Sequence, residues 1–281
     1  MVEANGEQRA RWNEVIGPRW VSVSEDIDAH LKEITELALA HAAPRPGEAV
    51  LEIGSGTGSM AVRLAKAVLP LGWVMGLDFS EPMVKEAENT VRRTGLGNVR
   101  FRLADAQIEK LKEGLFDLAF SRFGVMFFDD PKAAFANIKT AMKPTGRLSF
   151  ICWGPLARNP HWAIPREIAV KHLGPAEAAP AGAPGPMALA DPEHLRDVLT
   201  AGGWREVTIE EREPALLDEP MERAVRFATA MGPAGGLIRE REPPDETVEQ
   251  IRADIAAAFA PYEREGRVRV PGLIYLVGAR A

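Results

Sequence analysis

Short apolar runs alternate with amphipathic stretches over the middle of the chain. Apolar runs of about four to eight residues predict buried β-strands, and the amphipathic stretches between them predict helices with one apolar face. The strands predicted in this region cover residues 49–53, 73–78, 99–103, 116–121 and 147–153. Repeated strand–helix units of this length predict an α/β domain, in which a parallel sheet carries helices on both faces.

The pattern loosens after the fifth predicted strand. Alternation predicts two more strands, at 207–209 and 273–277, and apolar stripes between them predict helices near 219–231 and 246–260. Residues 174–190 are rich in Ala, Pro and Gly, a composition typical of a mobile surface loop. The chain is therefore expected to contain seven strands, with less regular structure in its second half.

The residues before the first strand predict a separate helical element. An apolar stripe predicts one amphipathic helix over residues 24–42, and a breaker containing proline and glycine at 44–47 ends it. We therefore expect residues 1–46 to form an N-terminal helical cap on a domain of residues 47–281. Within that domain, inserted helices are expected at about 155–190 and 217–262.

The most specific motif joins the ends of the first two predicted strands. The first strand carries Glu52 near its end and enters a loop with glycine at every second position, Gly54, Gly56 and Gly58. The second strand ends in Asp78. Glycine lets a backbone approach a ligand closely, and α/β sheets bind ligands at the carboxyl ends of their strands. The motif therefore predicts a nucleotide-type site in which Asp78 accepts hydrogen bonds from a ribose diol.

Composition narrows the possible partners and location. The net charge of −6 argues against a nucleic acid as the main partner, because duplex binding normally needs a basic face. The single cysteine, Cys152, excludes an intramolecular disulfide and a Cys-rich metal site, and no metal is expected. No apolar run reaches the roughly 18 residues of a membrane span, and residues 1–8 do not resemble a signal peptide. These features predict a cytoplasmic enzyme.

Two further motifs extend the glycine loop into a family resemblance. They are Asp78-Phe79-Ser80-Glu81-Pro82-Met83 and Ser121-Arg122-Phe123-Gly124-Val125-Met126-Phe127-Phe128. With the glycine loop they resemble the class I S-adenosylmethionine-dependent methyltransferases, and more narrowly they are similar to the ubiquinone/menaquinone-type small-molecule methyltransferases. The resemblance implies a seven-stranded, doubly wound, Rossmann-like sheet with helical cap elements.

The resemblance also implies S-adenosylmethionine as the cofactor. Glu52 would hold the amino group of the cofactor, Asp78 its ribose hydroxyls, and Asp105 the exocyclic amine of adenine. The Ala106 N–H would serve the adenine ring nitrogen. The full set of residues implied to contact the cofactor is Glu52, Gly54, Ser55, Gly56, Thr57, Gly58, Asp78, Phe79, Met83, Asp105, Ala106, Ser121 and Arg122.

The activity implied is methyl transfer to an O, N or C nucleophile of a small, partly apolar acceptor, by a monomer or homodimer. His161 is the candidate general base, because an imidazole exchanges protons near neutral pH. The alternative for this histidine is a loop residue that faces solvent or fixes the loop by a hydrogen bond. The side chains expected to line the acceptor site are Trp20, Phe123, Met126, Trp153 and His161.

Two other functions stay open on sequence alone. An enzyme of the same fold can use the sulfonium cofactor for chemistry other than methyl transfer, such as a decarboxylation or a cyclisation. A nicotinamide-dependent oxidoreductase has a related sheet, but its G-x-G-x-x-G fingerprint requires glycine where this chain has Ser59. The spacing therefore favours the methyltransferase interpretation.

Overall fold

A computed structural model describes residues 4–175, 180 and 182–281. The chain divides into two compact units. The first unit contains residues 1–153, 182–211 and 275–281, and the second contains residues 154–181 and 212–274. Part of the surface loop predicted at 174–190, namely residues 176–179 and 181, lies outside the described residues, as do residues 1–3.

The elements are numbered along the described chain. The strands are β1 (Ala49–Ile53), β2 (Trp73–Asp78), β3 (Val99–Leu103), β4 (Phe116–Arg122), β5 (Met142–Trp153), β6 (Arg205–Arg212), β7 (Ala215–Glu219), β8 (Glu263–Arg264), β9 (Arg267–Pro271) and β10 (Ile274–Arg280). The α-helices are α1 (Gly6–Arg11), α2 (Gly17–Ser22), α3 (Ser24–His30), α4 (Lys32–Ala42), α5 (Ser59–Ala67), α6 (Glu81–Thr94), α7 (Pro131–Thr140), α8 (Pro160–Leu173), α9 (Pro192–Ala201), α10 (Met221–Ala230), α11 (Gly232–Arg241) and α12 (Asp245–Phe259). A π-helical turn at Trp12–Ile16 joins α1 to α2, and a 3-10 turn at Gly124–Phe127 follows β4.

Among the described residues, seven strands form one sheet in the order β3-β2-β1-β4-β5-β10-β6. Strands β1 to β5 run parallel, with Glu52 of β1 opposite Gly76 of β2 and Phe120 of β4. Their carboxyl ends therefore lie along one side of the sheet, here called the carboxyl edge. This sheet and its flanking helices confirm the predicted α/β class and the seven-stranded, Rossmann-like fold.

The core of the first unit is built from aromatic side chains between the sheet and α7. Phe135 of α7 stacks on Phe150 of β5, with ring centroids 5.5 Å apart. Trp204 is buried and its indole N–H donates to the carbonyl of Phe135 at 2.9 Å. Such packing holds β4 and β5 rigidly, so that the loops at their carboxyl ends start from a fixed frame.

Two elements of the first unit differ from their predictions. The single helix predicted over 24–42 is two helices, α3 and α4, separated at Leu31 (φ −88°, ψ 13°). Asp28 and Thr35, on either side of this break, bind the same arginine, as described below. Strand β5 begins at Met142 rather than at the predicted residue 147, because Phe116 pairs with Met142 and Leu118 with Arg147, which leaves 143–146 as a bulge.

The second unit contains structure that the apolar pattern missed. Its small sheet has the order β7-β9-β8, and its antiparallel strands are only two to five residues long. The helices predicted near 219–231 and 246–260 correspond to α10 and α12, and the helix between them, α11, was not predicted. Gly232 (φ 66°) and the proline after it separate α11 from α10. Short strands give too few alternating positions for a pattern to be recognised, which explains the omission.

In residues 4–175, 180 and 182–281, no helix is both long enough and apolar enough to cross a membrane. The same part of the chain has no group of three or more His, Cys, Asp or Glu side chains arranged to hold a metal ion.

Candidate active site

The glycine loop closes the carboxyl end of β1 onto its neighbours. The N–H groups of Gly54 and Ser55 both donate to the carbonyl of Leu77 in β2, at 2.8 and 3.0 Å. Gly54 has φ +68°, and a Cβ built on it would lie 2.7 Å from the Cα of Gly124. Only glycine fits there, because the backbones after β1 and β4 touch. The Cβ of a residue at Gly56 would instead meet nothing closer than the Met83 methyl, at 3.9 Å.

Asp78 is held in one orientation by backbone donors. Its Oδ2 accepts from the Gly56 N–H and its Oδ1 from the Ser80 N–H, both at 2.9 Å. Burial raises the pKa of Asp78 to about 6, even though these backbone N–H groups favour the charged form. The carboxylate at the end of β2 therefore fixes the glycine loop.

Glu52 is a buried acid with an unused acceptor. Its side chain is 1% exposed, and its Oε2 has no hydrogen-bond partner among the described residues. Burial raises the pKa of Glu52 to about 8, while the positive charge of Arg122 acts to lower it and the charges of Asp78 and Asp28 act to raise it. The nearby residue Ser55 also has a buried Oγ without a described partner. A buried unpaired acceptor is costly unless a ligand supplies the missing donor.

Arg122 is fixed by side chains of the helices α3 and α4. Its guanidinium donates to Thr35 Oγ1 of α4 and to Asp28 Oδ1 of α3, both at 2.8 Å, and more weakly to Ser59 Oγ at 3.3 Å. Ser59 in turn donates to Asp28 at 2.9 Å. Asp28 and Thr35 carried no motif in the sequence, and only the fold brings them to the end of β4.

Ser121 and the residue Phe123 shape the turn after β4. The Ser121 hydroxyl donates to the Ile53 carbonyl at 2.7 Å and accepts from the Gly124 N–H at 3.0 Å. Phe123 has φ +68°, which is rare for an aromatic residue, and its ring stacks on Trp153 with centroids 4.2 Å apart and planes 7° apart. Strained backbone of this kind is concentrated at functional sites. Met126, in the following turn, is buried.

Asp105, after β3, is covered by the N-terminal segment. The Asn5 amide Nδ2 donates to both carboxylate oxygens of Asp105, at 2.9 and 2.8 Å. The Gln107 N–H donates to the same carboxylate at 2.9 Å. Ala106 is buried, and its carbonyl accepts from the side chain of Asn137 at 2.9 Å. Asn5 was not predicted to be near the site, because a single polar residue close to a chain end carries no sequence signal.

Residues 5–17, here called the N-terminal segment, also hold the loop after β2. The Asn13 side chain donates to the Phe79 carbonyl at 3.0 Å and accepts from the Glu81 N–H at 2.8 Å. The Ser80 hydroxyl donates to the Trp12 carbonyl at 2.9 Å. The ring centroids of Trp12 and Trp20 are 5.7 Å apart, so Trp20, which was predicted to line the acceptor site, packs against the N-terminal segment.

The remaining predicted residues are buried, and one of them lies in the other unit. Thr57 is buried in the glycine loop, Met83 is buried on α6, and Gly58 packs against Ala87 of the same helix. His161 belongs to the second unit, where it is 4% exposed and 5.0 Å from the ring of Trp162. It is the second residue of α8, so it is not the solvent-facing loop residue considered as the alternative.

Comparison with known proteins defines the class. Residues 50–146, which span β1 to the start of β5, match the family described as a methyltransferase domain. Solved structures of this fold include methyltransferases with S-adenosylmethionine bound. Residues 50–146 thus carry a methyltransferase domain, and the resemblance derived from the motifs is confirmed, as is the cofactor class.

Individual relatives extend this result. The chain is 31% identical to a nocamycin O-methyltransferase of Saccharothrix syringae over 58% of this chain and 61% of that one. It is 35% identical to a ubiquinone/menaquinone biosynthesis C-methyltransferase of Teredinibacter turnerae over 37% and 42%. The crystal structure of the cyclase SpnF matches 94% of this chain and 95% of its own with a TM-score of 0.58 at 17% identity. The chain thus spans less than two thirds of the curated relatives that it matches.

Proposed function

We propose that this protein transfers the methyl group of S-adenosylmethionine to an O, N or C nucleophile of a small, partly apolar acceptor. The observation that carries the proposal is Glu52, whose buried Oε2 at the carboxyl edge of the sheet has no partner in the part of the chain that the structure describes. The ammonium of the methionine moiety is a donor that fits such an acceptor. Orientation of Asp78 by two backbone N–H groups supports a second fixed contact, to the ribose hydroxyls.

The other cofactor contacts that we propose follow the loops at the carboxyl edge. The backbone of residues 54–58 would pass beneath the methionine moiety, where Gly56 leaves open space. Phe79 and Met83 would flank the adenine, Asp105 and Ala106 would bind its polar edge, and the chain at Ser121 and Arg122 would face the methionine moiety. Met83 lies in the first turn of α6, and each of the other residues lies at the end of one of the strands β1 to β4 or in the loop after it.

The protein's own contribution to catalysis is orientation and exclusion of water. When bound, S-adenosylmethionine supplies a methyl group activated by a positively charged sulfur. Holding both reactants in line removes much of the entropic barrier, and a dry site preserves the charge interactions. The stacked pair Phe123 and Trp153, followed by the buried Met126, groups apolar side chains at the ends of β4 and β5, which suits this role. We propose that these side chains contact the acceptor.

Binding of the cofactor is tested by titration calorimetry with S-adenosylmethionine and with S-adenosylhomocysteine. Absence of heat with both ligands would contradict the proposal. Incubation with methyl-labelled cofactor and a panel of phenols, quinone precursors, polyketides and amines then tests the reaction, because only methyl transfer leaves label on a product. A protein that binds the cofactor but never transfers label would instead support the non-methylating alternative, and the likeness to a cyclase makes that arm worthwhile.

Asp78→Ala should weaken the binding of both ligands by roughly 1–3 kcal/mol, because the ribose hydroxyls lose their acceptor and the Gly56 N–H loses its own. Calorimetric dissociation constants measure the effect. The matched control is Asp191→Ala, which removes an aspartate that caps α9 through the Glu193 N–H at 3.0 Å. Equal affinities for Asp78→Ala and the control would rule out the ribose role.

His161 is our candidate for a general base. If it takes a proton from the acceptor, His161→Ala should lower turnover at saturating acceptor by on the order of a hundredfold, with partial recovery toward pH 9. The matched control is His172→Ala on the same helix, where the imidazole bonds to Asp254. A change confined to KM would make His161 a positioning residue, and no change would leave orientation as the whole of catalysis.

A further inference from the structure

Asn5 is held through its backbone N–H and through both polar groups of its side chain. Its backbone N–H donates to Asp129 Oδ2 at 2.6 Å, and its side-chain Oδ1 accepts from the Asp129 N–H at 2.6 Å. Its Nδ2 donates to both oxygens of Asp105. Asn5 is 0% exposed and has left-handed backbone angles (φ 53°, ψ 23°), which asparagine tolerates better than most residues.

The chemistry of this carboxamide matches one edge of adenine. A primary amide presents an NH₂ donor beside a carbonyl acceptor. Adenine presents its exocyclic amine beside a ring nitrogen, in the same donor–acceptor order. The Asn5 Nδ2 donates to the Asp105 carboxylate, and the Asn5 Oδ1 accepts from the backbone N–H of Asp129. The carboxamide of Asn5 therefore binds a carboxylate acceptor and a backbone N–H donor, which are the partners that the amine and the ring nitrogen of adenine need.

We propose that Asn5 is an internal competitor for the adenine subsite, and that cofactor binding requires its carboxamide to leave Asp105. The inference rests on the proposed function, which gives Asp105 the adenine amine. Asp105 is only 6% exposed with Asn5 in place, and its oxygens already accept from Asn5 and from the Gln107 N–H. A base therefore reaches this carboxylate only when Asn5 is displaced.

The N-terminal segment keeps the competitor close after displacement. Trp12 and Asn13 are bound to the loop after β2, seven or more residues along the chain from Asn5. A tethered group returns with a high effective concentration, so even a weak amide competes with a ligand in solution. The apparent affinity for the cofactor therefore equals the intrinsic affinity multiplied by the fraction of molecules in which Asn5 is away from Asp105.

Asn5→Ala tests the proposal directly. The dissociation constant for S-adenosylhomocysteine should fall by about tenfold, because the variant lacks the competing amide. Adenosine, which carries the same base without the methionine moiety, should gain by a similar factor. The matched control is Asn98→Ala, whose side chain bonds to the carbonyls of Ala65 and Gly72 away from Asp105. The control should bind both probes as the unchanged protein does.

Asn5→Asp provides a second variant in case the alanine variant folds poorly. Its carboxylate would face Asp105 and Asp129, so repulsion should release the segment and also tighten binding. Weaker or equal binding by both variants would overturn the proposal and make Asn5 a residue that positions Asp105. If neither the unchanged protein nor the variants bind either probe, the proposed function itself fails. Tighter binding of S-adenosylhomocysteine but not of adenosine would place the competition outside the adenine subsite and also overturn the proposal.

Discussion

Glu52→Gln should stabilise the free protein above neutral pH and weaken its binding of S-adenosylmethionine. The ordinary pKa of this carboxyl is 4.5, and burial raises the pKa of Glu52 to about 8 in the folded protein. Ionisation of the buried acid therefore opposes folding at pH 8, and the neutral amide removes that penalty. The same amide lacks the negative charge that the cofactor's ammonium requires, so binding should weaken by about tenfold to a hundredfold.

The sign of the pH effect follows from the two pKa values. Between about pH 4.5 and 8 the folded protein holds the Glu52 proton and the unfolded chain has lost it. The stability that this group contributes is therefore complete below pH 4.5 and is lost as the pH rises toward 8. At pH 7 the loss is on the order of 3 kcal/mol. Asp78, whose pKa is also raised, to about 6, adds a smaller loss of stability of the same sign.

Denaturant unfolding of the ligand-free protein at pH 5 and pH 8 measures the effect. Glu52→Gln should match the unchanged protein at the lower pH and exceed it at the higher one. Glu48→Gln is the control with opposite sign. Burial acts to raise the pKa of Glu48, but hydrogen bonds from Arg147 and the Arg45 N–H outweigh it, so the pKa is lowered and neutralisation should destabilise. A pH slope that survives Glu52→Gln unchanged would contradict the assignment.

The same linkage predicts that Glu52 releases a proton when the cofactor binds. Below pH 8 Glu52 is largely protonated in the free protein, and a bound ammonium favours its charged form. Affinity should therefore rise from pH 6 toward pH 8, and calorimetry in buffers of different ionisation enthalpy should show proton release that Glu52→Gln lacks.

Gly54→Ala should destabilise the fold by about 3 kcal/mol or more. The new methyl would lie 2.7 Å from the Cα of Gly124, where no flexible side chain can move aside, and the backbone at Gly54 has φ +68°. Overpacking of this kind costs about 1–3 kcal/mol, and the left-handed conformation adds about 1–2 kcal/mol. The free energy of unfolding from denaturant titration gives the size of the loss.

Two other glycines separate strain from crowding. Gly47 has φ +87° and nothing lies within 4 Å of the position that an added methyl would take, so Gly47→Ala should show the backbone strain alone. At Gly56 the added methyl points into open space, so Gly56→Ala should fold nearly as well as the Gly47 variant but bind the cofactor less tightly. Equal stability of the Gly54 and Gly47 variants would show that the loops after β1 and β4 can separate.

The alternation of apolar runs with amphipathic stretches was enough to predict the parallel strands of the sheet. Strands β1 to β3 match their predicted bounds, because β1 and β2 are largely apolar runs between turn residues and β3 alternates apolar and charged residues. The glycine loop with acids at 52 and 78 was likewise enough to predict a nucleotide-type site, and together with the motifs at 78–83 and 121–128 it implied the class of cofactor. Both signals are local, and each is repeated over neighbouring residues. The small sheet of the second unit, whose strands are short, left no comparable signal.

Only the tertiary structure decided how the acids of the site are partnered. Glu52 and Asp105 are both recognisable acids after strands, yet one has an unpaired buried oxygen and the other is covered by Asn5, 100 residues away in sequence. Arg122 likewise depends on Asp28 and Thr35, which lie on either side of the break between α3 and α4 and far from Arg122 in sequence. A motif determines which chemical groups stand at the ends of strands. Burial and long-range hydrogen bonds, which no local pattern encodes, determine their charge and their access to a ligand.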